Sequence, residues 1–346
     1  MSAPRGCRNR LCTLADGGRC AREAEFTNPA ADCPDLIRGE SDLPALVEAG
    51  GRPAPWGGDR LNAREIEAAL WRSPARLFGL LGARGSGKTT LIASFFLRLA
   101  NGQRDGFAYR FASSRTLRAL QDLTDHAASW HGDGDIVPHT PLDAEGQYVH
   151  LGLRPESNWD NRHVDVILTD LSGETLATWA DAPRSVRNIQ FMNRANGILV
   201  VVDSAELMSP SGLRYDRDTS YLIERAVELQ RSARGLGLVF SKIDKLAEPP
   251  IITSKASTDA KDWGELGRRA SRCFGALMGA RISGLEIAAF GCASFPRPLS
   301  DGQPIGVVEP FAFLMRHADS RPRALLVERP IVEPAASWFE RMRRVR

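Results

Sequence analysis

The stretch Gly82-Ala83-Arg84-Gly85-Ser86-Gly87-Lys88-Thr89 decides how this chain folds. It fits the pattern G-x-x-x-x-G-K-[ST], in which the glycines let successive backbone N–H groups curl around phosphate oxygens. In this pattern Lys88 adds positive charge for the terminal phosphates, and the Thr89 hydroxyl can hold Mg²⁺. The stretch therefore predicts a phosphate-binding loop.

The residues on both sides of the loop support this prediction. Residues 76–81 (RLFGLL) read as a short buried strand, and residues 90–100 (TLIASFFLRLA) predict a mostly apolar helix that ends at Asn101-Gly102. A phosphate loop works between a strand and a helix N-terminus, where the helix dipole favours anions. We therefore include Thr90, which opens this helical stretch, among the ligand-binding residues.

Composition and charge narrow the class of protein. The chain has 346 residues, 43% of them hydrophobic and 25% charged, which is ordinary for a soluble globular protein. A net charge of +3 gives no argument for nucleic-acid binding. No segment approaches the ~20 apolar residues of a membrane span, and the N-terminal stretch lacks the apolar core of a secretory signal. Because a phosphate loop needs nucleoside triphosphates, we expect a cytoplasmic protein.

Four of the six cysteines lie close together in sequence, at Cys7, Cys12, Cys20 and Cys33. In a reducing compartment such a cluster favours metal binding over disulfides, and four thiolates suit a closed Zn²⁺ site that could fold a short arm. The gaps are irregular and contain no C-x-x-C pair, so reduced thiols in a loose arm stay the alternative.

Strand-like and helical patterns alternate along most of the chain. We predict a Cys-rich arm over 1–37, a linker and lead-in helix over 38–71, a nucleotide domain over 72–320 and a basic C-terminal tail or helix over 321–346. Alternation of this kind predicts an α/β fold with a mostly parallel sheet covered by helices on both faces. The candidate strands are 76–81, 163–169, 197–202, 236–240 and 286–292, with 106–113 and 147–153 at an edge.

Asp170-Leu171-Ser172-Gly173 follows the apolar run 163–169. An aspartate at the tip of a parallel strand faces the ligand crevice of an open α/β sheet, where Asp170 can hold a Mg²⁺ water. Gly173 leaves a backbone N–H free to approach a γ-phosphate. A strand-ending turn with an aspartate cap is the alternative.

Ser241-Lys242-Ile243-Asp244 follows the apolar run 236–240. In a nucleotide domain, Asp244 can accept hydrogen bonds from N1–H and the 2-amino group of guanine, whereas adenine would leave this carboxylate unpaired. The stem of Lys242 packs over the base. Cys292-Ala293-Ser294, after the last strand, lies where a backbone N–H would contact guanine O6. We therefore expect GTP and GDP as ligands.

The order of these motifs resembles that of the TRAFAC class of P-loop GTPases, in particular the translation-factor-like and Ras-like clade. More narrowly, residues 85–91 (GSGKTTL), 170–174 (DLSGE) and 306–310 (GVVEP) resemble the bacterial double-GTPase group of multi-gene conflict-type systems. The resemblance implies a Ras-like GTPase domain that acts as a molecular switch on a protein partner. It also implies slow or partner-stimulated GTP hydrolysis with Mg²⁺.

Several positions depart from this pattern. Ser241 replaces the usual Asn or Thr, so we expect a weaker hydrogen bond from this residue to the phosphate loop, and Cys292 replaces the usual Ser. Glu174 stands where Ras-like proteins carry the glutamine that orients water. It either orients water poorly or caps the helix predicted to begin at Thr175. Arg84 is either a built-in positive group near the γ-phosphate or a solvent-facing side chain.

The switch threonine that the resemblance implies is assigned to Thr140, with Thr116 and Thr124 as alternatives and a plain turn residue as the competing interpretation. Three other functions stay open from sequence: an ATP-using P-loop machine, a nucleotide-bound scaffold without turnover, and an interaction module carried by the cysteine arm. The sequence also leaves open the effector and whether two copies pair as a homodimer.

Overall fold

The structure is a computed structural model. It describes residues 6–7, 36–37, 58–62, 65–66, 75–103, 106–128, 148–156, 163–170, 193–230, 232–248, 257–296 and 303–319. The chain divides into two compact units, Met1–Gly57 and Gly58–Arg346. In the first unit Gly6–Cys7 pairs antiparallel with Leu36–Ile37. Three of the clustered cysteines (Cys12, Cys20 and Cys33) and the side chain of Cys7 lie outside the described residues, so zinc binding stays a prediction.

The second unit contains a seven-stranded sheet. Its strands are β1 (Ala75–Leu81), β2 (Tyr109–Ser113), β3 (Tyr148–Pro155), β4 (Val164–Thr169), β5 (Gly197–Asp203), β6 (Gly235–Ser241) and β7 (Glu286–Gly291). Their order is β2-β3-β4-β1-β5-β6-β7. Five neighbouring strands of this order, β4, β1, β5, β6 and β7, run parallel. The other two pairings, β2 with β3 and β3 with β4, are antiparallel. The predicted α/β sheet is confirmed, but β3 lies inside the sheet because β2 covers its outer edge.

Helices cover both faces of this sheet. They are α1 (Lys88–Ala100), α2 (Leu117–Ala128), α3 (Ser204–Met208), α4 (Gly212–Leu229), α5 (Gly264–Arg269), α6 (Ser271–Ile282) and α7 (Glu309–Asp319). Neighbouring side chains of β6 show the two faces, since successive residues of a strand point in opposite directions. Val239 packs in the cluster that includes α1 and α7 residues, whereas the ring of Phe240 contacts Trp263 and Phe274.

The core beside α1 holds the start of this helix at the end of β1. The rings of Phe95 in α1 and Phe311 in α7 stack with centroids 3.9 Å apart. Phe78 and Leu80 of β1 are fully buried beneath them in the same cluster. Stacked rings add to the free energy gained from burial alone. The packing therefore fixes the position of α1, whose N-terminus receives the glycine-rich loop.

Part of the predicted linker packs onto this domain. Leu61 exchanges two backbone hydrogen bonds with Tyr148, of 2.9 and 3.0 Å. Asn62 and Glu65 exchange backbone-to-side-chain bonds of 2.8 and 3.0 Å, the reciprocal arrangement of a helix capping box. Among the residues that the structure describes, no helix has the length and apolar character that crossing a membrane requires.

Candidate nucleotide-binding site

The predicted phosphate loop connects β1 to α1. Gly82 has φ 146°, and a Cβ at this position would lie 2.4 Å from the Val201 carbonyl oxygen, so a larger residue would displace β5. Gly87 is the N-cap of α1 with φ 92°, a left-handed conformation that favours glycine. The two glycines thus allow the loop to turn tightly against β5 and enter the helix.

Lys88 is buried inside the loop, with 6% of the residue exposed. Its Nζ donates to the carbonyl oxygens of Gly82 at 2.9 Å and Ala83 at 3.0 Å. Burial lowers the pKa of Lys88 to about 8, and the charge of Asp170 partly opposes this shift. An anion in the loop would stabilise the buried ammonium, so the geometry suits a phosphate group.

Asp170 and Thr89 meet at the ends of neighbouring elements. Asp170 follows β4 and is fully buried. Its Oδ1 accepts a hydrogen bond from Thr89 Oγ1 at 2.8 Å, and its Oδ2 accepts one from Arg60 Nη1 at 2.6 Å. Hydroxyl and carboxylate oxygens are the ligands that Mg²⁺ prefers, so Thr89 and Asp170 are residues that would hold such an ion. No group of three or more His, Cys, Asp or Glu side chains within the described ranges could hold a metal.

Lys242 joins the phosphate loop to the turn that carries Asp244. Its φ of 55° is the one positive value among the non-glycine residues that the structure describes. Lys242 Nζ donates to the Gly85 carbonyl oxygen at 2.7 Å and to Asp203 Oδ2 at 2.6 Å. Asp244 follows in the 3-10 turn Ile243–Lys245 and is partly exposed. The lysine stem therefore spans from the loop to the turn, as expected for a residue that lines a base pocket.

We expected Ser241 to form a weak hydrogen bond with the phosphate loop, but the structure shows a short one. Its Oγ donates to the Ser86 carbonyl oxygen at 2.6 Å, with the Val202 carbonyl at 3.1 Å. A hydroxyl has one hydrogen to donate, and the shorter distance assigns it to Ser86. Because the bond is buried and short, serine supports the loop directly at the position where related proteins use Asn or Thr.

We expected a backbone N–H group of residues 292–294, after β7, to contact guanine O6, but two of these three groups are bonded within the protein. The amide of Cys292 donates to the Phe240 carbonyl at 2.7 Å, and the amide of Ala293 donates to the Ile305 carbonyl at 3.0 Å. Both N–H groups are therefore already used, which leaves Ser294 as the candidate donor of this segment. Burial raises the pKa of the Cys292 thiol to about 12, so the side chain is a neutral packing group.

Three predicted site residues, Thr140, Gly173 and Glu174, lie outside the described residues. The two alternative switch threonines are buried and bonded to backbone carbonyls. Thr116 Oγ1 donates to the His150 carbonyl at 3.3 Å, and Thr124 Oγ1 donates to the Gln121 carbonyl at 2.8 Å. These contacts are typical of structural threonines. Arg84 is exposed on the phosphate loop, and Thr90 lies in the first turn of α1.

Sequence reasoning missed two residues of the site, Arg60 and Asp203. Asp203 ends the apolar run of β5, so the signal that identified Asp170 was present there too. Arg60 lies in a Gly- and Pro-rich stretch without periodicity, where no local pattern indicated a role. Its position becomes evident only from the pairing of Leu61 with β3.

Comparison with known families decides the class of this protein. The model of the Double-GTPase 2 family matches residues 76–280, which is more than half of the chain. The chain belongs to the Double-GTPase 2 family. This confirms the narrow resemblance proposed from the motifs. The Double-GTPase 2 match includes the phosphate loop, Asp170 and the Ser241–Asp244 turn, and it ends before Cys292.

Two solved structures show weak overall similarity to this Double-GTPase 2 chain. The RocCORdC portion of Methanosarcina barkeri Roco2, bound to GDP, has 14% identity and a TM-score of 0.35, with 70% of this chain and 48% of that chain covered. The chain thus spans about half the length of that protein. The G domain of the T. maritima FeoB iron transporter has 15% identity and a TM-score of 0.32, with 70% and 99% covered. No curated protein matches the chain.

Proposed function

We propose that this Double-GTPase 2 protein binds GTP and GDP with Mg²⁺, hydrolyses GTP slowly and switches a protein partner in a bacterial multi-protein system. One observation carries the proposal. Lys88, the Asp170–Thr89 pair and the Lys242–Asp244 turn all converge on one loop at the carboxyl edge of the parallel strands. In open α/β sheets this edge is where ligands bind. The hydrogen bond from Lys242 to Gly85 supports the proposal, because it joins the phosphate loop to the turn that would bind the base.

Hydrolysis in such a site depends on positioning and charge more than on covalent chemistry. The buried ammonium of Lys88 and the loop amides would neutralise the phosphates, and Thr89 with Asp170 would hold a Mg²⁺ ion that adds charge neutralisation. Glu174 would then be the residue nearest the attacking water. Because a carboxylate is repelled by a triphosphate, we propose that the unassisted rate is low and that a partner raises it.

The switch would be driven by the γ-phosphate. Thr140 and Gly173 are the two residues that we propose to contact it; in sequence, Thr140 precedes β3 and Gly173 follows β4. Loss of these contacts after hydrolysis would release both segments, as in other nucleotide switches. We propose that this change alters a protein-binding surface of a cytoplasmic protein.

Nucleotide binding by the purified protein tests the base assignment. We expect fluorescent GDP and GTP to bind at least about 100-fold more tightly than ADP and ATP, because adenine leaves Asp244 unpaired. Lys88→Ala should abolish binding. Asp244→Asn should shift preference from guanine to xanthine nucleotides, whereas Asp218→Asn on the exposed face of α4 should not. Equal affinity for both purines would contradict the proposal.

Phosphate release separates a slow GTPase from a nucleotide-bound scaffold without turnover. Protein in excess over GTP should release inorganic phosphate in a single turnover, and withdrawal of Mg²⁺ should stop the release. Bound GTP that stays intact for hours with Mg²⁺ present would establish the scaffold instead.

A further inference from the structure

Arg60 forms an ion pair with Asp170, the residue whose carboxylate the motif predicts to bind Mg²⁺. Its Nη1 lies 2.6 Å from Asp170 Oδ2, with side chains 18% and 0% exposed. A hydrogen bond between two charged groups is roughly twice as strong as a neutral one. A fully buried carboxylate also requires a partner, because an unpaired buried charge is very costly. Arg60 thus stabilises Asp170 without any metal.

The backbone around Arg60 positions it for this contact. Leu61 pairs with Tyr148, and Tyr148 in turn pairs with Thr169, the residue before Asp170. Two strand spacings, roughly 9–10 Å, therefore separate Leu61 from β4. Only a long side chain can cross that distance to reach Asp170. On the other side of Arg60, the Gly58 carbonyl accepts a 3.0 Å bond from the amide of Ala119.

We infer that Arg60 competes with Mg²⁺ for Asp170 and thereby speeds the release of bound nucleotide. The inference rests on the proposed function, since it concerns the same guanine-nucleotide site. Asp170 offers two oxygens, and Thr89 and Arg60 use one each. If Arg60 stays beside a divalent cation it repels the ion, and if it withdraws the protein loses a buried ion pair. Either outcome weakens retention of the cation.

The charges around Asp170 support this competition. Two cations, Lys88 and Arg60, act on one buried carboxylate before any ligand arrives. Without Arg60, a bound Mg²⁺ would add a second positive charge beside Asp170, next to that of Lys88. Here Arg60 already supplies a second positive charge, and it belongs to the segment 58–62. Movement of this segment would therefore change the affinity for Mg²⁺.

Dissociation of fluorescent GDP at a series of free Mg²⁺ concentrations tests the inference. We expect Arg60→Gln to lower the Mg²⁺ concentration for half-maximal retention about tenfold, because the positive charge that repels the ion is removed. Arg60→Lys, shorter but still charged, should shift it less in the same direction. The control is Arg118→Gln, which should match wild type. Arg118 is an exposed residue of α2 whose Nε lies 3.9 Å from the carboxylate of Asp59, a neighbour of Arg60. An unchanged or higher Mg²⁺ requirement in Arg60→Gln would overturn the inference.

A second measurement uses no nucleotide. Arg60→Gln should lower the urea midpoint of the ligand-free protein, but it should have little effect in an Asp170→Asn background, where the charge pair is already absent. Equal loss in both backgrounds would make Arg60 a structural residue of its segment and overturn the inference. Failure of the wild type to bind GDP would instead count against the proposed function, and the stability cycle could still be read.

Discussion

The ammonium of Lys242 lies 2.6 Å from the carboxylate of Asp203, and this pair joins the ends of β5 and β6 at the nucleotide site. The two oxygens of Asp203 have separate tasks. Oδ2 accepts from Lys242, while Oδ1 caps α3 by accepting from the amides of Ala205 and Glu206. One side chain therefore begins a helix and holds the lysine that contacts the phosphate loop.

Asp203→Asn should separate these two tasks. Asparagine keeps an oxygen for the helix cap but loses the negative charge, so we expect weaker GDP binding, about tenfold, with a loss of at most about 1 kcal/mol in unfolding free energy because the pair is partly exposed. Asp203→Ala should lose the cap as well and destabilise by about 1 kcal/mol more. GDP titration and urea unfolding measure the two effects. Equal stability of both variants would contradict the capping role.

Lys88→Met should stabilise the ligand-free protein at pH 7 while it abolishes nucleotide binding. A pKa lowered from 10.5 to about 8 means that the charged lysine costs about 3 kcal/mol in the folded state. The Gly82 and Ala83 carbonyls lose their donor in the variant, which offsets part of this gain. We expect a net gain of about 1–2 kcal/mol in unfolding free energy.

The same variant has a pH signature. Folded wild type releases the Lys88 proton near pH 8, whereas the unfolded chain holds it to about 10.5. The unfolded state therefore binds more protons in this interval, so this residue makes wild-type stability rise with pH between these values. The advantage of Lys88→Met should shrink from pH 8 upward. A difference that stays constant from pH 7 to 10 would contradict the burial of a charged lysine.

Two buried serines in contact should respond in opposite directions to alanine. The Ser86 hydroxyl is buried with no hydrogen-bond partner in the described part of the chain, whereas the Ser241 hydroxyl donates to the Ser86 carbonyl. Ser86→Ala should raise the unfolding free energy by about 1 kcal/mol, and Ser241→Ala should lower it by 1–2 kcal/mol, roughly the cost of an unmade buried hydrogen bond. Urea unfolding of both variants provides the comparison, and a loss in Ser86→Ala would show that its hydroxyl has a partner.

Glu174→Gln should raise the single-turnover rate of GTP hydrolysis. Glutamine can orient water without placing a negative charge beside the triphosphate, and we expect a gain of about tenfold, equivalent to about 1.4 kcal/mol of barrier. Glu224→Gln on the exposed face of α4 serves as the control. If the rate is unchanged and the protein is less stable, Glu174 is a helix cap instead.

Much of the fold was predictable because its signals are local. Short apolar runs predicted all seven strands of the sheet, and the Gly- and Lys-containing loop predicted where α1 begins. Asp170, Lys242 and Asp244 could be named for the same reason, since each follows an apolar run that forms a parallel strand. The interior position of β3 was missed, because strand order depends on pairing between distant segments.

By itself, then, the sequence determined a phosphate loop between strand and helix and an α/β sheet, and it predicted a guanine-binding turn, all from residues close together in the chain. Only the tertiary structure decided which charges meet. Arg60 reaches Asp170 because residues 58–62 lie alongside β3, which pairs with β4. Lys242 reaches Asp203 because β5 and β6 are paired strands whose ends lie side by side. The amide of Ala293 likewise donates to the carbonyl of Ile305, and no local sequence pattern indicates that these two residues are close. Contacts of this kind depend on the packing of distant segments, and their chemistry is set only when the chain is folded.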